Sequence, residues 1–194
     1  MSRGRIIRWA LEEFAEPYET VLLDFASSMK SSEYLDINPM GKVPAIKHGN
    51  HVVTECAAIC AYLADVFPQA QLGPLDEEKA AYYRWLFFFS GPLEAAILNR
   101  SLGFEVEDDK EATAGYGNFD RVMSTVDRLL GVQDYVAGAR FTAADIYCGA
   151  QIGWGIQFGT IEPTPNLAGY WQRLSSRPAY ARATEIDDGL LAES

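Results

Sequence analysis

The spacing of apolar residues predicts a mixed α/β region at the front of the chain. Residues 5–14 carry apolar side chains at helical spacing, and Pro17 ends that pattern. Residues 18–25 alternate in polarity and are rich in strand formers, so they predict a strand. The polar residues 27–36 predict a short helix.

A hairpin and a further helix are predicted next. Short apolar runs at 43–47 and 51–53 predict two strands, joined by a tight turn that contains Gly49. Residues 55–67 show apolar positions on one helical face. Residues 68–76 lack periodicity and carry two prolines, so they predict a linker.

Only helices are predicted after that linker. Thr142 and Asp145 stand three residues apart, as in an N-terminal capping box. The pattern therefore predicts a small α/β domain over 1–67, the linker 68–76 and an all-helical domain over 77–194. The predicted helices cover residues 77–100, 115–130, 143–158, 167–175 and 178–185.

Composition and charge narrow the classes of function. The chain has 194 residues, of which 48% are hydrophobic, which allows a packed core. Its formal net charge of -11 argues against binding to nucleic acid or to an anionic membrane. No apolar run is long enough to span a bilayer, and no signal peptide is visible. Three cysteines without framework spacing favour a reducing cytoplasm, and they suggest no metal site.

Two neighbouring motifs carry the candidate chemistry. Residues 38–46 read Asn-Pro-Met-Gly-Lys-Val-Pro-Ala-Ile, a turn that enters a strand through a Val-Pro bond. Residues 54–59 read Thr-Glu-Cys-Ala-Ala-Ile, where an acidic residue starts a helix. Unpaired backbone groups beside a helix N-terminus suit an extended, peptide-like ligand that carries a carboxylate.

With Phe-Thr-Ala-Ala-Asp-Ile at residues 141–146, these motifs resemble the cytosolic glutathione S-transferases over essentially the whole chain. The resemblance is to the bacterial type with a serine-like N-terminal site. It implies a thioredoxin-like α/β N-terminal domain and an all-α C-terminal domain, the glutathione S-transferase fold. Relatives begin with a strand of about five residues that this sequence lacks before its first helix, so the N-terminal domain is expected to be truncated at that strand.

The missing strand has two explanations. Met1 is either an internal methionine of a longer natural protein or the true start of a protein that lacks the strand. In the chain as given, residues 18–25 and 43–47 lose the partner between them. We therefore expect either a foreign strand in the gap or a loosened N-terminal domain.

The resemblance also implies how glutathione, the co-substrate, is held. Pro44 matches a proline that is cis in this fold, which turns the backbone of Val43 towards the cysteinyl backbone of glutathione. Glu55 matches the acidic residue that receives the γ-glutamyl ammonium, and Lys42 is placed to reach the glycine carboxylate. Cys56 occupies a position that is usually Ser or Thr, so its backbone N–H is expected to hold the γ-glutamyl carboxylate.

The implied chemistry is activation of the glutathione thiol. Lowering the pKa of a thiol from ~8.5 by two units needs ~2.7 kcal/mol, and one hydrogen bond to a charged group supplies ~1.5–3 kcal/mol. Ser2 is the only hydroxyl at the start of the first helix, so it is the candidate catalytic residue. Arg3 or Arg5 could instead hold the thiolate electrostatically.

The resulting prediction is a cytoplasmic, homodimeric transferase that adds the glutathione thiolate to a small apolar electrophile. The alternative is a non-catalytic protein of the same fold that binds or scaffolds. No nucleic acid, membrane or metal partner is expected. Four aromatic residues are core candidates that could also line the second-substrate pocket: Tyr82, Trp85, Phe89 and Trp154.

Overall fold

The computed structural model describes residues 2–192, and the chain packs into two compact units. The first unit contains the described residues up to Gln71 together with those from Pro178 onward, and the second contains Leu72–Arg177. The first unit includes the only strands among the described residues. In chain order its elements up to Gln71 are α1 (Gly4–Phe14), a 3₁₀ turn (Ser28–Lys30), α2 (Ser32–Leu35), β1 (Ala45–His48), β2 (His51–Thr54), α3 (Cys56–Val66) and a second 3₁₀ turn (Pro68–Ala70).

The predicted helix at 5–14 and the predicted hairpin are confirmed. α1 buries one apolar face that includes Ile6, Ala10 and Phe14, as the helical spacing of these residues requires. β1 and β2 pair antiparallel through a two-residue turn in which Gly49 has φ +58°. Glycine adopts that conformation without steric cost.

The prediction of a strand over residues 18–25 is wrong. The backbone there is irregular, and Val21 and Leu22 are 80% and 61% exposed. Side chains at the start of the segment bind α1 instead, because Arg8 donates to both Tyr18 Oη (3.1 Å) and Thr20 Oγ1 (3.0 Å). No strand lies beside this segment among residues 2–192. It therefore has neither the inter-strand hydrogen bonds nor the buried face that an alternating strand pattern requires.

Among the described residues, the regular elements of the second unit are helices and helical turns, built around the buried helix α7 (Ala143–Gln157). Fully buried glycines and alanines on α7 allow close approach: a Cβ on Gly153 would lie 2.5 Å from Trp171, and one on Gly155 would lie 2.4 Å from Ile161. The elements are α4 (Lys79–Phe88), a π-helical turn (Phe89–Leu93), α5 (Glu94–Ser101), a 3₁₀ turn (Asp108–Lys110), α6 (Phe119–Leu130), α7 (Ala143–Gln157) and α8 (Pro165–Ser175).

The helix predicted over 77–100 is interrupted by that π-helical turn. Pro92 lies inside it, and proline has no N–H to donate to the preceding turn. A wider turn accommodates the missing hydrogen bond, so the chain continues into α5 after a local change of pitch. Pro92 therefore explains the interruption, which the spacing of apolar residues does not predict.

The predicted capping box at the start of α7 is confirmed and extends into a larger network. Asp145 is fully buried and accepts four hydrogen bonds. Its Oδ2 accepts from Thr142 N–H (2.8 Å) and Thr142 Oγ1 (3.0 Å), and its Oδ1 accepts from Val136 N–H (2.8 Å) and Tyr170 Oη (2.9 Å). Burial nevertheless raises the pKa of Asp145 to about 6, because desolvation outweighs the four donors.

The last described helix, α9 (Pro178–Ala192), belongs to the first unit. Arg5 donates to Asp188 Oδ1 (2.6 Å) and Arg8 donates to Asp187 Oδ1 (2.7 Å), which ties α9 to α1. The sequence pattern predicts one helical domain from residue 77 onward. The structure groups α9 with α1 instead, through ion pairs between residues about 180 positions apart in the chain.

Candidate active site

The hairpin brings the two sequence motifs to one end of the small sheet. Ala45 of β1 pairs with Thr54 of β2. Pro44, just before β1, and Glu55, just after β2, therefore lie at the same end of the hairpin. This register is the geometric basis of the candidate site, since it joins a turn and a helix start that are eleven positions apart.

The loop before β1 presents unpaired backbone groups. The Val43–Pro44 peptide bond is cis, as the resemblance implied. Neither the N–H nor the C=O of Val43 has a hydrogen-bond partner within residues 2–192, and Val43 is only partly buried. A backbone donor and acceptor of this kind are available to an extended peptide, which can pair with them as an added strand.

The same loop is held by three side chains that the sequence does not predict as site residues, those of Lys30, Tyr34 and Asn38. Tyr34 Oη (2.5 Å) and Asn38 Nδ2 (2.8 Å) both donate to the carbonyl oxygen of Lys42. Lys30 Nζ donates to the carbonyl oxygen of Gly41 (2.9 Å). Asn38 is 4% exposed and hydrogen-bonded, as a buried amide requires. Its place at the start of the 38–46 motif is the sequence signal that could have identified it. Lys42 itself is exposed, and its ammonium has no ion-pair partner within the described chain.

Glu55 and the start of α3 form the second half of the site. Glu55 is exposed and has φ +66°, a conformation that non-glycine residues adopt rarely. The Glu55 side chain, at the N-cap position, makes no capping hydrogen bond to the first turn of α3. The N–H groups of Ala57 and Ala58 in this turn lack intrahelical acceptors, so the helix start can accept an anion beside the Glu55 carboxylate.

The Cys56 side chain points to α1. Cys56 is 6% exposed, and its thiol donates to the carbonyl oxygen of Arg3, with Sγ and O 3.8 Å apart. This contact joins the first turn of α3 to the first turn of α1. The backbone N–H of Cys56 is therefore more readily available to a ligand than its thiol.

The structure separates the three candidates for holding a thiolate. Ser2 Oγ accepts a hydrogen bond from Gly4 N–H (3.2 Å), and its own hydrogen has no acceptor within residues 2–192. Ser2 is partly exposed, so its hydroxyl can donate to a ligand. Arg5 is engaged by Asp188 at 2.6 Å, whereas Arg3 is exposed. The hydroxyl of Ser2 thus combines exposure with a free donor.

The four aromatic candidates for a second-substrate pocket lie in the second unit. Tyr82, Trp85 and Phe89 are 1%, 4% and 0% exposed, so almost none of their surface is available to a ligand there. Trp154 retains partial exposure. The ring edge of Phe88 meets Trp85 at a centroid distance of 5.3 Å, which is the packing of a core cluster.

Two further kinds of site can be assessed for residues 2–192. No group of three or more His, Cys, Asp and Glu side chains is placed to hold a metal ion. Cys60 is fully buried, and desolvation raises the pKa of its thiol, which disfavours the thiolate that a metal would need. No described helix combines the length and the apolar character needed to cross a bilayer.

Comparison with known proteins identifies the family. The family models described as "Glutathione S-transferase, N-terminal domain" and "Glutathione S-transferase, C-terminal domain" match residues 1–65 and 79–178. The chain belongs to the glutathione S-transferase family. The thioredoxin-like unit with its two-stranded sheet and the helical unit are the two parts of the glutathione S-transferase fold.

Curated relatives carry the same class of activity in their names. The chain is 27% identical to the glutathione S-transferase hmp2 of Hypomyces subiculosus, over 95% of this chain and 94% of that protein. It is 28% identical to the glutathione S-transferase GST-4.5 of Xanthomonas campestris, over 87% and 84% of the two chains. The chain is therefore an enzyme of the glutathione S-transferase class.

Solved structures of bacterial glutathione S-transferases agree with this assignment. A ternary complex of the bacterial enzyme BphK aligns with TM-score 0.77 and 28% identity, and covers 97% of this chain and 98% of that one. A sphingomonad glutathione S-transferase complexed with glutathione aligns with TM-score 0.76 and 27% identity, over 95% and 94% of the two chains.

Proposed function

We propose that this protein transfers the thiolate of glutathione to a small apolar electrophile. The observation that carries the proposal is the unpaired backbone of Val43, which lies at the same end of the hairpin as the uncapped start of α3 and Glu55. A γ-glutamyl tripeptide offers one extended backbone and one zwitterionic end, which match these two features. The sphingomonad structure that contains glutathione supports the same ligand here.

Each end of glutathione then has a partner of suitable chemistry. The Val43 N–H and C=O pair with the cysteinyl backbone. The Glu55 carboxylate receives the γ-glutamyl ammonium, while the first-turn N–H groups of α3, beginning at Cys56, hold the adjacent carboxylate. The Lys42 ammonium pairs with the glycine carboxylate in exposed surroundings.

Activation of the thiol follows from the position of Ser2. A hydroxyl that donates to a thiolate favours the ionised form, and a hydrogen bond to a charged group is worth about 1.5–3 kcal/mol. About 1.36 kcal/mol lowers a pKa by one unit, so this single contact is enough to bring the thiol near neutral pH. The thiolate then attacks the electrophile, forms a thioether and displaces a leaving group or adds to an activated double bond.

Calorimetry with reduced glutathione tests the binding half of this proposal. We expect heat on titration into the wild-type protein, and a Kd that is about 10–100-fold weaker in Glu55→Ala, since a charge-assisted contact is lost. Asp65→Asn is the matched control, because it removes a charge from the other end of α3 and leaves the site intact. The proposal is wrong if wild-type protein gives no heat, or if Asp65→Asn weakens binding as much as Glu55→Ala does.

Turnover of an activated chloroarene tests the catalytic half. Ser2→Ala is expected to lower kcat by about 10–100-fold and to change the glutathione Kd by less than about threefold, because the hydroxyl contacts only the sulfur. Binding of glutathione without any turnover would instead support the non-catalytic alternative. Unchanged kcat in Ser2→Ala would move the activating role to another group.

We also propose that the protein is a cytoplasmic homodimer. None of the three cysteines forms a disulfide bond within residues 2–192, which suits a reducing compartment. The helices α4 and α5 expose Tyr83, Phe87 and Leu98, which are 41%, 72% and 48% exposed, and such apolar side chains favour contact with a second copy. Sedimentation equilibrium that finds only monomer at micromolar concentration would contradict the dimer.

A further inference from the structure

The Cys56 thiol makes a contact that a glutathione site does not require. At the first position of α3, a side-chain donor could turn outward to a bound carboxylate. Here the thiol is 6% exposed and donates to the carbonyl oxygen of Arg3, at 3.8 Å. That oxygen also accepts the N–H of Ile6 (3.1 Å), the bond that closes the first turn of α1.

The contact has a consequence for Ser2, the residue next to Arg3 in the chain. α1 begins at Gly4, and Arg3 is its N-cap residue, whose own side chain makes no capping hydrogen bond. Ser2 Oγ accepts from Gly4 N–H (3.2 Å), so the orientation of the hydroxyl depends on where the first turn of α1 lies. The link from Cys56 to Arg3 therefore couples the helix start that would hold the γ-glutamyl end to the hydroxyl that would face the sulfur.

We propose that Cys56 is a positioning residue, whose thiol fixes the start of α1 and with it Ser2, while the γ-glutamyl carboxylate is held by backbone N–H groups of α3. This inference rests on the proposed function for its catalytic meaning. Its structural part, the link between α3 and α1, holds for the protein without any ligand. The two parts can therefore fail separately.

Cys56→Ala removes the link, and Cys60→Ala is the matched control. Cys60 lies one turn further along the same helix and is fully buried. Both substitutions remove one thiol from α3. A general loosening of α3 would appear in both variants. An effect through Arg3 would appear only in Cys56→Ala.

The ligand-free measurement is amide exchange of residues 5–8 at the start of α1. We expect exchange to be at least about tenfold faster in Cys56→Ala and within about twofold of wild type in Cys60→Ala. Equal exchange in wild type and Cys56→Ala would overturn the positioning role. Equal acceleration in both variants would overturn it as well, since it would reveal only a weaker helix.

The ligand-bound measurement separates the glutathione Kd from the pKa of the bound thiol. We expect Cys56→Ala to keep the Kd within about threefold of wild type, to raise the thiol pKa by half a unit or more, and to lower kcat at neutral pH accordingly. Cys56→Ser should restore part of the pKa, because a hydroxyl is a stronger donor but is shorter. A Kd weakened more than tenfold with an unchanged thiol pKa would show that the side chain holds the carboxylate, contrary to the proposal.

An absence of heat with wild-type protein would overturn the proposed function. The amide-exchange result would then decide the structural link by itself.

Discussion

Two carboxylates at helix starts differ in burial and in hydrogen bonding. They belong to Glu55, before α3, and to Asp145, in the first turn of α7. Asp145 is fully buried and accepts four hydrogen bonds from its own unit. Glu55 is exposed, lies at φ +66° and has no side-chain partner within the described chain. The same chemical group therefore completes the fold at Asp145 and is left available at Glu55.

The difference shows how an acidic residue at the N-terminus of a helix can be interpreted. At Asp145 the preceding Thr142 completes a capping box, so the helix start is satisfied internally. At Glu55 the preceding residue ends a strand, the backbone is strained and the first turn of α3 stays uncapped. A helix start that the protein leaves incomplete in this way is a better candidate for a ligand site than one with a full cap.

The largest effect is expected from Asp145→Ala. The substitution leaves the N–H groups of Val136 and Thr142 and the hydroxyl of Tyr170 without their acceptor, which should destabilise the protein by about 3–5 kcal/mol. Urea unfolding at pH 5 measures this change. Asp120→Ala, an exposed first-turn aspartate of α6, is the control and should cost less than about 1 kcal/mol. Similar losses in both variants would contradict the contrast between a buried and an exposed carboxylate.

A somewhat smaller effect is expected from pH. Burial raises the pKa of Asp145 from 3.8 to about 6, so the native state binds more protons than the unfolded state between these values. The stability that this group contributes is fully present below about pH 4 and is lost as pH rises through about 6. A shift of about two pKa units corresponds to about 3 kcal/mol.

Asp145→Asn isolates this contribution, because asparagine does not titrate. The free energy of unfolding of wild type minus that of Asp145→Asn should fall by about 2–3 kcal/mol between pH 4 and pH 7. Other carboxylates cancel in this difference. A difference that stays constant, or that grows with pH, would show that the four donors dominate over desolvation.

The smallest of the three effects is expected at the turn that precedes Val43, in the same unit as Glu55. Gly41 and Gly49 have the same φ, +58°, but a Cβ at Gly41 would lie 2.9 Å from Lys30 Nζ and 3.1 Å from the Met29 carbonyl. Nothing lies within 4 Å of a Cβ at Gly49. Gly49→Ala should therefore cost about 1 kcal/mol for its backbone alone, and Gly41→Ala about 2–3 kcal/mol.

Urea unfolding compares the two glycine variants, and glutathione titration follows the site. We expect only Gly41→Ala to weaken glutathione binding, because it displaces the turn that precedes Val43. Equal stabilities for the two variants would mean that Lys30 moves aside without cost.

Much of the fold follows from local pattern, and the exceptions have physical causes. α1 and the β1–β2 hairpin were predicted because apolar spacing and a glycine turn act within a few residues. Residues 18–25 were predicted wrongly, since a strand pattern yields a strand only beside a partner. The grouping of α9 with α1 depends on ion pairs between residues such as Arg8 and Asp187, and no local pattern reports a partner so far away.

The candidate site was predictable to a similar degree. The motif residues Pro44 and Glu55 could be chosen from sequence because of the resemblance, and the cis bond before Pro44 is confirmed. The support of the Lys42 carbonyl by Tyr34 depends on how α2 packs, which sequence spacing does not specify. The direction of the Cys56 thiol depends likewise on where α1 lies, so only the structure could give it.

The packing of α9 against α1 has a consequence for biosynthesis. A ribosome releases the chain from its N-terminus at about 5–20 residues per second, so α1 emerges long before its carboxylate partners Asp187 and Asp188. The first unit is discontinuous and can be completed only after nearly the whole chain has been translated, whereas the second unit is already contiguous. In nascent chains arrested before residue 187, Arg5 and Arg8 should thus lack their carboxylate partners on α9.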